Sequence, residues 1–138
     1  MKWVIMNEKQ LIKAAIKARA LAYAPYSHFK VGAALCTADG EIYQGCNIEN
    51  SSYSLTICAE RTAFFKAVYD GKKQFEAIAI VGGHEDNVEL EICPACGACR
   101  QVFAEFCEGD FKIILAKNEN EYIVKTLSQL LPMSFELK

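Results

Sequence analysis

Between Asn7 and Tyr23 the apolar residues Leu11, Ile12, Ala15, Ile16, Ala22 and Tyr23 recur at helical spacing. This predicts a first amphipathic helix, opened by a capping box of Asn7 and Gln10 and ended by Pro25. From Phe29 the period changes. The stretch FKVGAALCTADGEIYQGCNIE reads as two β-rich runs around Asp39-Gly40, a dipeptide suited to the positive φ angles of a hairpin turn. A second helix is predicted from about Cys58 to Asp70, where Gly71 stops it. The continuous apolar run AIAIVGG, bounded by Gly82 and Gly83, is expected to be a strand covered on both faces. A third helix should begin near Cys96 and end before Gly109, FKIILAKN should be another strand, and YIVKTLSQLLP should hold a last short strand or helix. Helices alternate with strands, so the expected build is a layered α/β sandwich around one sheet. No repeat, linker or low-complexity tract interrupts it.

The 138 residues, 52% of them hydrophobic, suffice for one domain with a continuous core and not for two of ordinary size. A net charge of -2 offers no basic field for a phosphate backbone, which argues against a nucleic-acid partner. The opening MKWVIMNEKQ carries an apolar run too short for a signal peptide and far too short for a membrane span. A soluble, cytoplasmic protein with no membrane partner is expected.

Seven cysteines change the picture. An odd count without a secretion signal argues against a disulfide framework and for metal binding or thiol chemistry. Cys36, Cys46 and Cys107 sit among apolar residues and are expected in the core. The stretch CPACGACR offers Cys93, Cys96 and Cys99 as two overlapping C-x-x-C pairs at the opening of a helix, whose N-terminus favours thiolate charge. Cys58 opens the preceding helix. If the strands that feed these helices are parallel neighbours, both helices start at one sheet edge and their openings meet. Three readings follow from spacing: a zinc site of three thiolates with an open fourth position, a closed structural zinc site that also uses Cys93, and a redox pair in CPAC. Glu60, two residues after Cys58, weighs toward the first, because an acid there can move protons at the open position. Arg61, three residues after Cys58, can lie against that sulfur and offset the negative charge of a zinc held by three thiolates.

Cys-Ala-Glu at one helix start and Cys-Gly-Ala-Cys at the next resemble the zinc-dependent nucleoside and nucleobase deaminases. The blocks YAPYSHFKVGAAL, GCNIENSSYSLTICAERTA, CGACRQ and LLPMSF, in that order, are similar to the small, homotetrameric cytidine deaminase family. The resemblance implies a three-layer α/β/α sandwich with one mixed central sheet, one Zn2+ per subunit on Cys58, Cys96 and Cys99, and Glu60 as proton shuttle. It implies that Asn47 and Glu49 bind the ribose 3'-hydroxyl, that Phe29 lines the base pocket, and that Phe135 packs on the base from a neighbouring subunit of a homotetramer. Arg61 matches an arginine that bonds ligand sulfurs. The implied reaction is hydrolytic loss of ammonia from C4 of cytidine or 2'-deoxycytidine, a step of pyrimidine salvage. Two positions depart from the family pattern: Ala95 stands where a proline precedes the zinc cysteine pair, and Met133 stands where a small residue, often glycine, is common. A blasticidin S deaminase of the same fold and a non-enzymatic structural zinc module are the competing readings.

Overall fold

The computed structural model describes residues 6–137, so most of the amino-terminal apolar run, residues 3–6, lies outside the described residues. Helix α1 spans Glu8–Arg19, and the Asn7 side chain caps it by accepting the Gln10 N–H at 3.0 Å, one arm of the expected box. Its buried stripe is Leu11, Ile12, Ala15 and Ala18. The helix stops well before Pro25. The Tyr23 N–H is taken by the Asn47 carbonyl and the Tyr23 carbonyl by the Glu49 N–H, so the backbone there bonds to the segment after β2 instead of continuing the helix.

Strands β1 (Phe29–Thr37) and β2 (Ile42–Cys46) form the expected hairpin, turning at Gly40 with φ 90°. Helix α2 (Ala59–Tyr69) leads to β3 (Phe75–His84), and α3 (Gly97–Phe106) to β4 (Lys112–Ala116). The last segment holds both a strand and a helix, β5 (Tyr122–Thr126) and α4 (Leu127–Leu130). Gly82 and Gly83 lie inside β3, paired with Val31 and Lys30 of β1, and do not bound the strand.

The five-stranded sheet has the order β2-β1-β3-β4-β5 and is mixed, with β3 and β4 parallel and the other pairs antiparallel. On one face α2 and α3 bury Ala63, Phe64 and Phe103, joined by Phe111 from the connection before β4, against Leu35, Ile78, Ile80 and Ile113. On the other, α1 packs Leu11, Ile12 and Ala15 on Ala34, Ala79, Val81 and Ile114. The Phe64 ring lies 4.9 Å from Phe75 and 5.2 Å from Phe103, centroid to centroid, an aromatic cluster that anchors the first face. The result is the three-layer α/β/α sandwich. Cys36 is in the core as expected, whereas Cys46 and Cys107 are only half-buried. Cys46 ends β2 where the chain leaves the sheet, and Cys107 follows the last turn of α3.

Strand direction positions the site. Because β2 and β3 are both antiparallel to β1, they run the same way and end at one edge of the sheet, where β1 begins. Helices α2 and α3 follow β2 and β3, so both start at that edge. The helix openings converge as anticipated, but through an intervening antiparallel strand and not through parallel neighbours.

Two glycines let the helices lie close on the sheet. A Cβ on Gly32 would fall 2.0 Å from the Ala15 carbonyl oxygen of α1, and one on Gly45 would fall 2.4 Å from the Ala59 carbonyl oxygen of α2. These neighbours are backbone atoms and cannot swing aside. Gly32→Ala is therefore expected to destabilise the fold by about 3 kcal/mol or more, measured by thermal or denaturant unfolding. Gly97→Ala, whose Cβ meets nothing within 4 Å, is expected to leave stability unchanged or slightly raised.

Candidate functional site

Cys58 is the N-cap of α2 and Cys96 the N-cap of α3, and neither side chain makes the cap hydrogen bond that a serine or aspartate makes there. Their sulfurs instead meet, 3.8 Å apart. Cys99 stands three residues into α3 with its sulfur 3.5 Å from that of Cys96. The C-x-x-C spacing thus reuses the geometry by which an N-cap side chain reaches the third helical position. All three sulfurs lie within 4.8 Å of one another, and among the described residues no other group of three or more His, Cys, Asp and Glu is gathered so closely.

Cys93 stays outside this cluster. Its sulfur packs on β3 at Gly82, where an added Cβ would lie 2.9 Å from it. The two overlapping pairs are thereby separated. The close sulfur group is Cys58, Cys96 and Cys99 without Cys93, which favours the three-thiolate reading over the closed site and over the CPAC pair.

Arg61 occupies in α2 the position that Cys99 occupies in α3, and it reaches back to donate from Nη2 to the Cys58 sulfur at 3.3 Å. Its Nε is buried with no hydrogen-bond partner. A buried donor left unanswered is costly, and the Cys58 and Cys99 sulfurs favour the charged guanidinium as a whole. Hydrogen bonds from Cys99, Arg61 and Cys96 pull the Cys58 thiol down to about 5 against the opposing effect of burial. Cys99, bonded to the Cys58 sulfur and buried, is pushed up, so the first negative charge settles on Cys58. Three soft sulfur ligands at two helix N-termini, with a guanidinium beside them, fit one zinc ion held by three protein groups.

The buried polar or charged side chains among the described residues are Thr37, Asn47, Glu49 and Glu60, and three of these are residues singled out from the sequence. Glu60 lies in the first turn of α2, only 4% exposed. Burial pushes its carboxyl up to about 7.

Asn47 and Glu49 flank Ile48, which is bridged to Tyr23 on one side and to Ile57 on the other. Ile57 immediately precedes Cys58, so the pair lies about one strand spacing, roughly 5 Å, from the segment that enters the metal cluster. Both side chains also brace the start of β1. Asn47 Oδ1 accepts the Val31 N–H at 2.9 Å and its Nδ2 donates to the Phe29 carbonyl at 2.8 Å. Glu49 Oε1 accepts the N–H groups of Tyr26 and Ser27 at 3.0 and 3.1 Å.

Phe29 opens β1 at the same edge and is partly exposed. Phe135 lies on the carboxy-terminal segment, 68% exposed, and its carbonyl accepts a hydrogen bond from Gln101 Nε2 at 3.0 Å. Both departures from the family pattern have a local account. Ala95 is buried, and its carbonyl accepts the Arg100 Nε–H at 2.8 Å, so the loop before Cys96 is fixed without a proline. Met133 has φ 53°, the left-handed region in which glycine is least strained.

Sequence reasoning missed Ser27 and Arg100. Ser27 bonds Glu49, and Arg100 ties the loop before Cys96 to the Leu130 carbonyl at 2.8 Å. A serine two residues before Phe29 is a signal for a side-chain-to-backbone turn. Nothing local marks Arg100.

Fold and site together define a zinc-binding deaminase. Residues 6–115 match the family described as the cytidine and deoxycytidylate deaminase zinc-binding region. The chain is 52% identical over 130 residues to a cytidine deaminase of Sporosarcina psychrophila, covering 94% of this chain and 92% of that one. The crystal structure of cytidine deaminase from Burkholderia pseudomallei superposes with a TM-score of 0.85 at 45% identity, covering 94% of this chain and 100% of that one. A blasticidin-S deaminase of Bacillus cereus is 27% identical over 135 residues, 96% of this chain and 94% of its own. The chain belongs to the cytidine and deoxycytidylate deaminase family.

Separation of the two cysteine pairs has a direct test in metal content. After dialysis, Cys93→Ala is expected to keep one zinc per chain by elemental analysis, whereas Cys58→Ala, Cys96→Ala and Cys99→Ala are each expected to lose it. Zinc loss in Cys93→Ala would transfer the site to the other pair.

Proposed function

We propose that this protein removes ammonia hydrolytically from cytidine and 2'-deoxycytidine, giving uridine and 2'-deoxyuridine. The observation that carries the reading is the buried Glu60 carboxyl, two residues from Cys58 and beside the three-sulfur cluster, in a chain 52% identical to a cytidine deaminase. Similarity to the blasticidin-S deaminase is much lower, which favours the nucleoside.

Cys58, Cys96 and Cys99 are assigned as ligands of one Zn2+ per subunit. Zinc bound there supplies Lewis acidity, lowering the pKa of a water from about 15.7 toward 7. Arg61 offsets the charge of the thiolates. Glu60 takes one proton of the attacking water and delivers it to ring N3. It then takes the second from the hydroxyl now on C4 and gives it to the amine, which leaves as ammonia as C4 becomes a carbonyl. With N3 protonated, C4 becomes electrophilic enough for attack. Burial keeps competing water away from the carboxyl.

Asn47 has one Nδ2 hydrogen left after bonding Phe29, and Glu49 is an acceptor two residues along an extended segment. One donor beside one acceptor matches a hydroxyl, which accepts and donates at once. This is assigned to the 3'-hydroxyl, a group that cytidine and 2'-deoxycytidine share. Phe29 lines the base, and Phe135 packs on it from a neighbouring subunit of a homotetramer. Large exposed apolar side chains, among them Leu21, Tyr53, Leu55 and Phe135, support such an assembly. Seven unpaired thiols suit the reducing cytoplasm, where the enzyme serves pyrimidine salvage.

Glu60→Ala is expected to keep zinc and fold while turnover falls by a factor of about 10² to 10⁴ or more, read as ammonia release from cytidine. Near-normal release would refute the shuttle. Free cytosine, which leaves the sugar groups unpaired at roughly 1 to 3 kcal/mol each, is expected to be a far poorer substrate. Equal efficiency on cytosine and cytidine would overturn the sugar assignment.

A further inference from the structure

Ser27 touches neither the metal cluster nor any residue singled out from the sequence except Glu49 and Phe29, and it joins those two. Its hydroxyl donates to Glu49 Oε2, and the same oxygen accepts the Phe29 N–H at 3.0 Å. Because that oxygen already receives a proton from Phe29, the direction of its own O–H is fixed toward the carboxylate. His28, between them, has φ 59°, and this left-handed residue closes the turn. It is held in turn by Glu85, through Nδ1 to Oε1 at 2.9 Å and through the Glu85 N–H to the His28 carbonyl at 2.8 Å.

A carboxylate offers about four acceptor sites. On Glu49 the N–H groups of Tyr26 and Ser27 occupy Oε1, and the Ser27 hydroxyl occupies one site of Oε2. One acceptor site remains, on Oε2. These bonds, led by that of the Ser27 hydroxyl, hold the Glu49 carboxyl below the ordinary carboxylate range, so it is an anion at neutral pH.

We propose that Ser27 is a positioning residue for sugar recognition: its hydroxyl holds Glu49 so that a single acceptor site on Oε2 faces the 3'-hydroxyl of the nucleoside. The proposal rests on the cytidine deaminase reading above. Without the hydroxyl, Oε2 loses its fixed direction and the Phe29 N–H loses its acceptor, so that N–H competes with the sugar for the same oxygen.

The test uses the full-length, zinc-replete protein with cytidine and with 3'-deoxycytidine, which lacks only the hydroxyl in question. Ser27→Ala is expected to lower kcat/KM for cytidine about tenfold, mainly through KM, and to change that for 3'-deoxycytidine by less than about twofold. Ser27→Cys, close in volume but a weak donor, should show the same pattern, and Ser27→Thr should restore discrimination. In a Glu49→Gln background, Ser27→Ala should have little further effect. An equal loss on both nucleosides, or a Ser27→Ala effect undiminished by Glu49→Gln, makes Ser27 merely structural and overturns the proposal. So does unchanged discrimination in Ser27→Ala and Ser27→Cys. A wild-type protein that is inactive on both nucleosides overturns the deaminase reading and this proposal with it, whereas an active wild type with insensitive variants overturns this proposal alone.

Discussion

Three sulfurs within 4.8 Å of one another cannot all hold negative charge without a cation among them, and much of this chain is arranged around that requirement. Cys58 and Cys96 take helix N-cap positions, where backbone N–H groups and the helix dipole favour an anion. Arg61 adds a formal positive charge against the Cys58 sulfur through Nη2, while its buried Nε has no hydrogen-bond partner among the described residues. The glycine contact of β2 with α2 holds the first of these helices close on the sheet, and Arg100 fixes the loop entering the second. The metal site is thus a property of where two helices begin, and the sheet sets those two points.

The same sheet edge gathers the polar groups assigned above to the substrate. Burial of Glu60, Asn47 and Glu49 is expensive unless each has partners or a chemical use. Asn47 and Glu49 find partners in the backbone of residues 26–31, so the residues assigned to the sugar are also those that shape the start of β1. On that assignment the same side chains serve binding and folding, and their hydrogen bonds to the backbone would hold the sugar site in place before any nucleoside arrives. Glu60 differs. It lies beside the sulfurs, shielded from solvent, and its raised proton affinity follows first from that burial.

Much of this was legible along the chain. The hairpin at Asp39-Gly40, the helix opening at Cys58 and the pair Cys96 and Cys99 depend on neighbours a few residues apart, and local periodicity and capping capture such relations. The end of α1 was not legible in the same way. Pro25 looked like the stop, but the helix ends at Arg19 because Tyr23 bonds to residues 47 and 49, far along the chain. The apolar setting of Cys46 and Cys107 in the sequence likewise overstated their burial, since both lie where an element ends.

The sequence by itself determined most of the elements and the placing of thiols and an acid at two helix openings, because these are set by residue type at fixed short spacing. Tertiary structure decided the strand order that brings Cys58 to Cys96, 38 residues away, and the exclusion of Cys93 from the cluster by its packing on Gly82. It also decided the link from Ser27 to Glu49, 22 residues apart. The physical reason is common to all three. Spacing limits which side chains can share a helix turn, but contacts between distant segments depend on which faces of the sheet each helix covers and at which edge it begins.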